Sequence, residues 1–370
     1  MSKQRQIVEE LLAMAGVAID GPNPWDIQVR DDRLYARMLR EKNLGLGEAY
    51  MEGWWNCARL DEFFFRILRA RLNTRVRGNL RILWPAVTAR LLNLQSRGRA
   101  GIIADRHYNT GNDLFLSFLD PYNQYSCAFF SGTEDLHQAQ LAKMDLISCK
   151  MDLGPEDRVL DIGCGWGGFA KYIAERFGCS VTAVNISREQ LNYAREFCRN
   201  LPVQFLECDY RDIRGTFDKI VSVGMFEHVG FKNYRTFMKT VHHNLKDGGI
   251  FLLHTIGGNE SDVDCDPWTD KYIFPNGMVP SLAQIGRSVE GLFVIEDMHN
   301  LGPHYDRTLM IWNADLQSAW PKFEDKYDEK FKRMWEYFLL SFAGAFRARS
   351  MQVWQIVMTK YGTSQPVCRF

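Results

Sequence analysis

Arg158-Val159-Leu160-Asp161-Ile162-Gly163-Cys164-Gly165-Trp166-Gly167-Gly168 sets the architecture of this chain. Its first residues read as a buried strand, its middle as a glycine turn, and the residues from Phe169 onward as a helix. Glycine permits positive φ and lacks a Cβ, so backbone N–H groups at such a turn can touch a ligand. The helix start adds free N–H groups and a partial positive charge. The stretch is therefore expected to hold a nucleotide-like ligand.

Outward from the turn, strand and helix alternate. Strand candidates are Arg158–Ile162, Ser180–Ile186, Val203–Cys208, Phe217–Val223, Ile250–His254 and Leu292–Glu296, with helices at Phe169–Phe177, Arg188–Arg199 and Tyr234–Leu245. Repeated βαβ units predict an α/β fold, Rossmann-like, with a parallel central sheet and helices on both faces. Ligands in such sheets bind beyond the carboxyl ends of the strands, which selects the loops that should converge. Asn185 ends the second strand where an acidic residue usually holds a ribose, so recognition there differs or is shared with Gln190. Gln190 also completes Ser187-Arg188-Glu189-Gln190, which has the form of a capping box. Asp209 and Tyr210 follow the third strand and are placed to meet an adenine. Gly224-Met225-Phe226-Glu227-His228-Val229-Gly230 follows the fourth strand, and the fifth ends at His254-Thr255-Ile256-Gly257-Gly258. The segment 259–291 is too long for a simple connection. Its Asp266-Pro267-Trp268 and Tyr272-Ile273-Phe274-Pro275 suit a lid over a substrate. An edge strand at Thr308–Trp312 and a helix from Lys322 to Arg349 complete the reading.

The part before this domain reads as helical over residues 5–100, with a boundary at the linker Arg97-Gly98-Arg99-Ala100-Gly101. Residues 1–100 thus form a small all-helical domain ahead of a catalytic domain at 101–370. With 370 residues, 46% hydrophobic and 24% charged, the chain has ample core. The start, Met1 to Asp20, is a charged amphipathic helix pattern without the apolar core of a signal peptide. No apolar run approaches the roughly 18 residues that span a bilayer. The 9 cysteines form no C-x-x-C pair, which argues against a zinc site or a disulfide framework and fits a reducing cytosol. Net charge is zero, but from Arg66 to Arg106 there are ten arginines and one acid, Asp105. Basic side chains around Trp84 and leucines suit an anionic membrane surface. Nucleic acid, for which no stacking platform or recognition helix is visible, a solvated helix face and a dimer contact are the other readings of this block.

The identity of the ligand turns on glycine spacing. A dinucleotide fingerprint needs G-x-G-x-x-G, whereas the turn reads D-x-G-x-G-x-G-G. That spacing resembles the first motif of AdoMet-dependent methyltransferases, with Asp161 facing the methionine end of the ligand. A dinucleotide, or a tight turn with no ligand, remains open on the turn alone.

Further stretches make the likeness specific. Gly45-Leu46-Gly47-Glu48, Gly53-Trp54-Trp55, His107-Tyr108-Asn109-Thr110-Gly111-Asn112-Asp113, Gln124-Tyr125-Ser126-Cys127-Ala128, Phe226-Glu227-His228-Val229-Gly230, His254-Thr255-Ile256-Gly257 and Phe346–Gln355 follow one another in order. The set resembles the cyclopropane-fatty-acyl-phospholipid synthases over nearly the whole chain. The resemblance implies a cytoplasmic enzyme, peripherally associated with the inner membrane, often a homodimer. Such an enzyme adds a methylene from S-adenosylmethionine across the cis double bond of an unsaturated phospholipid acyl chain. A lipid C-methyltransferase that stops at a methyl branch or a methylene group is the near alternative. By the same resemblance S-adenosylmethionine contacts Tyr125, Ser126, Gly163, Gly165, Asn185, Gln190 and Tyr210. A bicarbonate ion is held by Cys127, Glu227, His254, Ile256 and Tyr305, with Cys127 and Ile256 offering backbone groups. No metal is implied. The aromatic faces of Tyr125, Phe130, Phe226, Tyr272 and Phe274 are candidates to stabilise a carbocation. Some relatives carry a cysteine two residues before the glycine of the C-terminal helix; here that residue is Phe342, which excludes a thiol nucleophile at that place. Each site residue also has a plain structural use: a capping or turn residue for Glu227, a packed histidine for His254, a small apolar residue for Cys127, and a core-edge ring for Tyr305.

Overall fold

The computed structural model describes residues 2–72 and 111–369. The expected helix at Arg81–Leu94, the linker and boundary near 100, residues 107–110 and most of the arginine block lie outside the described residues. Two compact units are present. One comprises Met1–Arg90, Asp264–Pro275 and Tyr305–Met351, and the other Leu91–Val263, Asn276–His304 and Gln352–Phe370.

The first unit is mainly helical, with helices Lys3–Ala13, Arg33–Glu41, Asn43–Met51, Leu60–Arg69, Pro267–Tyr272 and Glu329–Arg347. It is not helical throughout, because β1 (Gln28–Val29) and β2 (Trp55–Asn56) pair as a short antiparallel ladder. The long helix Glu329–Arg347 crosses Leu60–Arg69 closely at Gly344, where a Cβ would lie 2.5 Å from the Asp61 carbonyl. Arg347 holds that crossing through Asp61 at 2.6 Å and Asp306 at 2.9 Å. Burial would raise the Asp61 carboxyl, but hydrogen bonds from Arg59 and Arg347 outweigh it and bring it down to about 2. Asp328, one of the late acids, caps the same helix at Phe331 N. Arg66, first of the arginine block, lies over the Trp25 ring at 3.8 Å and pairs with Glu62. Within the expected lid stretch, the helix Pro267–Tyr272 is fastened in this unit. Glu48 accepts from Lys271 at 2.6 Å and Tyr272 at 2.8 Å, and Asn43 donates to Asp266 at 2.8 Å.

The second unit is built on a seven-stranded sheet. Its strands are β3 (Arg158–Ile162), β4 (Ser180–Asn185), β5 (Val203–Glu207), β6 (Phe217–Val223), β7 (Leu245–Gly258), β8 (Val294–Asn300) and β9 (Met351–Thr359), in spatial order β5-β4-β3-β6-β7-β9-β8. β3 to β7 pair in parallel, and β8 with β9 antiparallel. Successive side chains of a strand point to opposite faces, and both faces are covered. Leu160, Ile162, Ile220, Phe251 and Leu253 pack with Tyr234, Phe237, Val241, Ile285 and Val289. Val159, Val181, Val221 and Leu252 pack with Met144, Ile147, Phe169 and Ile173. The near-continuous apolar runs of these strands follow from burial on both sides.

One expectation fails here. Thr308–Trp312 is not an edge strand but part of the helix Gly302–Ala319, with Thr308, Leu309, Trp312 and Leu316 buried at helical spacing. The place beside β7 belongs to β9, buried along almost its whole length.

Candidate active site

Strand order reverses between β3 and β6, the place where a doubly wound sheet opens a crevice at the carboxyl ends of its strands. The glycine turn lies there. Gly163 N and Cys164 N donate to Val184 O at 2.8 and 3.1 Å, tying the turn to β4. Gly165 has φ +53°, and a Cβ on it would meet nothing within 4 Å, so packing does not account for that glycine. Its left-handed backbone does, and it leaves the N–H groups of the turn open to a close approach. Gly168 is different, since a Cβ there would fall 1.6 Å from Tyr122 O. That contact fastens the loop carrying Tyr125 against the start of the helix Gly168–Phe177.

Asn185 and Gln190 are brought together beside the turn. Asn185 Nδ2 donates to Gln190 Oε1 at 2.9 Å and to Gly165 O at 3.3 Å. Ser187 accepts from Gln190 N at 3.4 Å, but the Gln190 side chain turns to Asn185. Half of a capping box is thereby formed. Asp209 accepts from Arg211 N at 2.9 Å and pairs with Arg211, an Asx turn that sets Tyr210 in place. Tyr210 is buried against Phe237 at 5.3 Å, and its hydroxyl has no partner. Tyr125 packs edge-on to Phe115 at 5.2 Å, beside Trp166, whose Nε1 donates to Asn112 at 2.8 Å. The described end of the His107–Asp113 stretch thus reaches the glycine turn.

Asp161 is fully enclosed at the end of β3, and its Oδ2 has no partner. Burial pushes this carboxyl up to about 7 despite the nearby charge of Lys143. An enclosed acid and an enclosed phenol, both with unmet hydrogen-bonding atoms beside an open glycine, fit a ligand with a cationic amino-acid end and a base.

A second cluster lies at the ends of β6 and β7. Glu227, in the short 3-10 turn Phe226–His228, accepts from Ile256 N at 2.5 Å through Oε1, while Oε2 is buried without a partner. Burial raises its carboxyl to about 7. The Ile256 N–H, expected to face an anion, is thus directed at Glu227. His254 Nδ1 lies 3.3 Å from Gln355 Nε2. Burial, then the charges of Lys143 and Lys150, lowers His254 to about 3 and keeps it neutral. Where Gln355 donates to Nδ1, the neutral ring carries its proton on Nε2. Cys127 is buried, its thiol directed to Ala128 O at 3.3 Å. A carboxyl oxygen without a partner and a neutral imidazole, at the ends of neighbouring strands, fit a small oxyanion carrying one hydroxyl, as bicarbonate does.

Tyr305 belongs to the helical unit, where its ring packs on Phe346 at 4.8 Å and Trp312 at 5.9 Å. Phe226 is wholly buried and stacked on Tyr234 at 4.3 Å, so its face is spent in the core and not open to a substrate. Two residues escape sequence reading. Gln355 was unassigned because β9 was not recognised. Lys143 sits in the helix Leu136–Met151, where a lysine reads as solvated; in fact it is completely buried, donating to Gln124 Oε1 at 2.5 Å and Ser126 Oγ at 2.9 Å.

A sheet wound in this order, with an open glycine turn and an enclosed acid at its switch point, is that of an AdoMet-dependent methyltransferase. The mycolic acid cyclopropane synthetase family matches residues 96–356. The chain is 52% identical over 355 residues to the cyclopropane-fatty-acyl-phospholipid synthase of Escherichia coli (strain K12), covering 96% of this chain and 93% of that one. Among solved structures, the cyclopropane synthase MmaA2 from Mycobacterium tuberculosis is 28% identical, with a TM-score of 0.66 over 70% of this chain and 98% of its own. The mycolic acid cyclopropane synthase CmaA1, complexed with SAH and CTAB, is 31% identical, with a TM-score of 0.65 over the same shares, 70% and 98%. The chain belongs to the cyclopropane synthase family of AdoMet-dependent enzymes.

Proposed function

We propose that this protein is a cyclopropane-fatty-acyl-phospholipid synthase, adding a methylene from S-adenosylmethionine across the cis double bond of a phospholipid acyl chain. The observation that carries this reading is the buried pair Glu227 and His254, placed at strand ends beside the donor turn. A simple methyl transfer needs no such pair.

S-adenosylmethionine supplies a methyl on a sulfonium, held by Gly163, Gly165, Asp161, Asn185, Gln190, Asp209 and Tyr210, with Tyr125 and Ser126 closing the methionine side. An alkene is a weak nucleophile, so these residues must fix the methyl in line and exclude water. The alkene's π electrons form the new C–C bond while the S–C bond breaks, which leaves positive charge on the acyl chain. Aromatic faces such as Tyr125 and Phe130 would stabilise that charge by about 0.5–2 kcal/mol each. Loss of a proton from the transferred methyl lets the C–H electron pair close the ring. Bicarbonate supplies the basic oxygen when bound. Glu227 Oε2 would hold its hydroxyl and fix its orientation, His254 and Cys127 would complete the cradle, and Ile256 would act through the bond of its N–H to Glu227. Because Phe342 stands where some relatives have cysteine, no thiolate takes part from that helix.

The domain plan that goes with this reading is a helical docking part over 1–100 and a catalytic part over 101–370. The arginine-rich stretch meets the anionic face of the membrane, the stretch 259–291 covers the acyl chain, and the enzyme works as a homodimer. Among the described residues no helix is long and apolar enough to cross a membrane. Incubation with S-adenosylmethionine and vesicles of cis-unsaturated phospholipid, followed by mass spectrometry and proton NMR of the acyl chains, tests the reaction. One added CH2 with a cyclopropyl signal and no double bond is expected. A methylene or methyl branch supports the lipid C-methyltransferase alternative, and unchanged chains overturn both.

A further inference from the structure

We propose that Lys143 is a positioning residue of the donor site: its buried ammonium fixes the Ser126 and Gln124 side chains, and its charge prepares Asp161 as the counter-charge for the donor's amino end. The inference rests on the reading of this site as an S-adenosylmethionine site and assigns a role to a residue that no motif marks.

The geometry is that of a clamp. Lys143 and Gln140 stand one turn apart on the helix Leu136–Met151, on the same face. Lys143 Nζ donates to Gln124 Oε1 at 2.5 Å and Ser126 Oγ at 2.9 Å. Gln140 Nε2 donates to Ser126 O at 3.0 Å and Gln124 O at 3.3 Å. Asp120 anchors the start of the same loop, accepting from Gln124 N at 2.7 Å and Tyr122 N at 2.9 Å. Side chains and backbone on either side of Tyr125 are therefore held from one helix. A hydroxyl could bind Ser126 equally well, so a fully buried ammonium here calls for a reason beyond hydrogen bonding.

Charge supplies that reason. The groups facing Lys143 are Asp120 from the loop, Cys127, Asp161 from β3 and His254 from β7. Asp161 faces Lys143 and the buried thiols Cys164 and Cys198. Burial lowers Lys143 to about 8, which leaves it mostly protonated at neutral pH. Its charge opposes the effect of burial on Asp161, whose pKa lies at about 7. Without that charge Asp161 would hold its proton to higher pH and offer no charge to a donor's ammonium group.

The test is the affinity for S-adenosylhomocysteine, which keeps the amino-acid end, measured by calorimetry from pH 5.5 to 8.5. Wild type is expected to bind more weakly toward acid as Asp161 protonates. Lys143→Met, which keeps the shape, and Lys143→Gln, which keeps a donor for Ser126, should both move this acid limb to higher pH. A nearby opposite charge shifts a carboxyl by roughly one unit or more, so the loss at pH 7 should be about fivefold or more and shrink by pH 8.5. In an Asp161→Asn background the same Lys143 substitutions should leave the pH profile flat. A loss of equal size at every pH, or wild-type behaviour of Lys143→Gln, overturns the proposal. If wild type fails to bind S-adenosylhomocysteine at all, the donor reading falls instead.

Discussion

The glycine turn at 163–168 and the Glu227–His254 cluster lie at the same edge of one sheet, yet they are built in opposite ways. The turn is contiguous in the chain, closed by its own backbone through Gly167 N and Cys164 O and tied by Gly163 and Cys164 to Val184 of β4. What it leaves for a ligand is space over Gly165 and the enclosed oxygen of Asp161. The cluster is assembled from two strand ends and β9, and what it leaves is unmet polar atoms, Glu227 Oε2 and Gln355 Oε1. A buried oxygen without a partner costs about 1–3 kcal/mol, so a fold that retains one invites a guest. The difference teaches where each half of the chemistry resides. The turn binds, and the cluster decides what becomes of the methyl.

Substitutions at the two regions should separate these roles. Glu227→Gln is isosteric and can keep the bond from Ile256 N, but it cannot orient a base. Turnover at saturating donor should fall by about 10²–10⁴, measured as cyclopropane formed per bound S-adenosylmethionine; a fall under threefold would remove Glu227 from the chemistry. Gly168→Ala strikes the scaffold instead, since its Cβ would lie 1.6 Å from Tyr122 O. A loss of about 1–3 kcal/mol is expected from overpacking against backbone, visible as a lower denaturant midpoint. An unchanged midpoint would mean that the Tyr122 loop moves freely. Gly165→Ala has room for its Cβ and should cost about 1 kcal/mol of stability or less for its left-handed backbone. It should weaken donor binding about tenfold by filling the approach; unchanged affinity would mean the ligand does not come close there.

The smallest effect is in stability against pH, and its sign differs between the acids and the histidines. Glu227 and Asp161, each raised to about 7 by burial, hold protons in the folded chain that the unfolded chain has lost above roughly 4.3. Their contribution favours folding on the acid side and disappears as pH rises through 7. Burial lowers His254 to about 3 and His228 to about 4, so their contribution is present above roughly 6.5 and is lost as pH falls toward those values. Glu227→Gln removes one of the acids. The variant should be more stable than wild type at pH 8, by about 1–3 kcal/mol, with the difference shrinking through pH 5 and vanishing below about pH 4. A difference in Tm that does not vary with pH would contradict the burial argument.

The sequence showed the binding half more fully than the deciding half, for physical reasons. β3, the turn and the helix after it are one local run in which period, glycine and helix start all agree. Glu227 and His254 were reachable by asking which polar groups fall at strand ends, and their meaning came from resemblance. Thr308–Trp312 was misread because a short apolar run does not tell a buried helix from a strand; Leu316, one turn on, carries the helical period. Phe346–Gln355 reads in the sequence only as a motif, and because its second half is the start of β9, Gln355 shows no place beside His254 there. Lys143 could not be seen at all, because nothing in a helical lysine announces burial. The helical unit's use of Asp264–Pro275 was equally hidden, since its bonds to Glu48 and Asn43 join residues more than 200 positions apart.

The division of labour is tested most directly by measuring Glu227→Gln and Gly165→Ala side by side, for donor affinity and for turnover per bound donor. The account predicts a crossed result: Glu227→Gln binds S-adenosylmethionine as wild type does and makes almost no cyclopropane, while Gly165→Ala binds poorly and turns over normally once saturated. If Glu227→Gln loses affinity and keeps its turnover per bound donor, the two regions have been assigned the wrong way round.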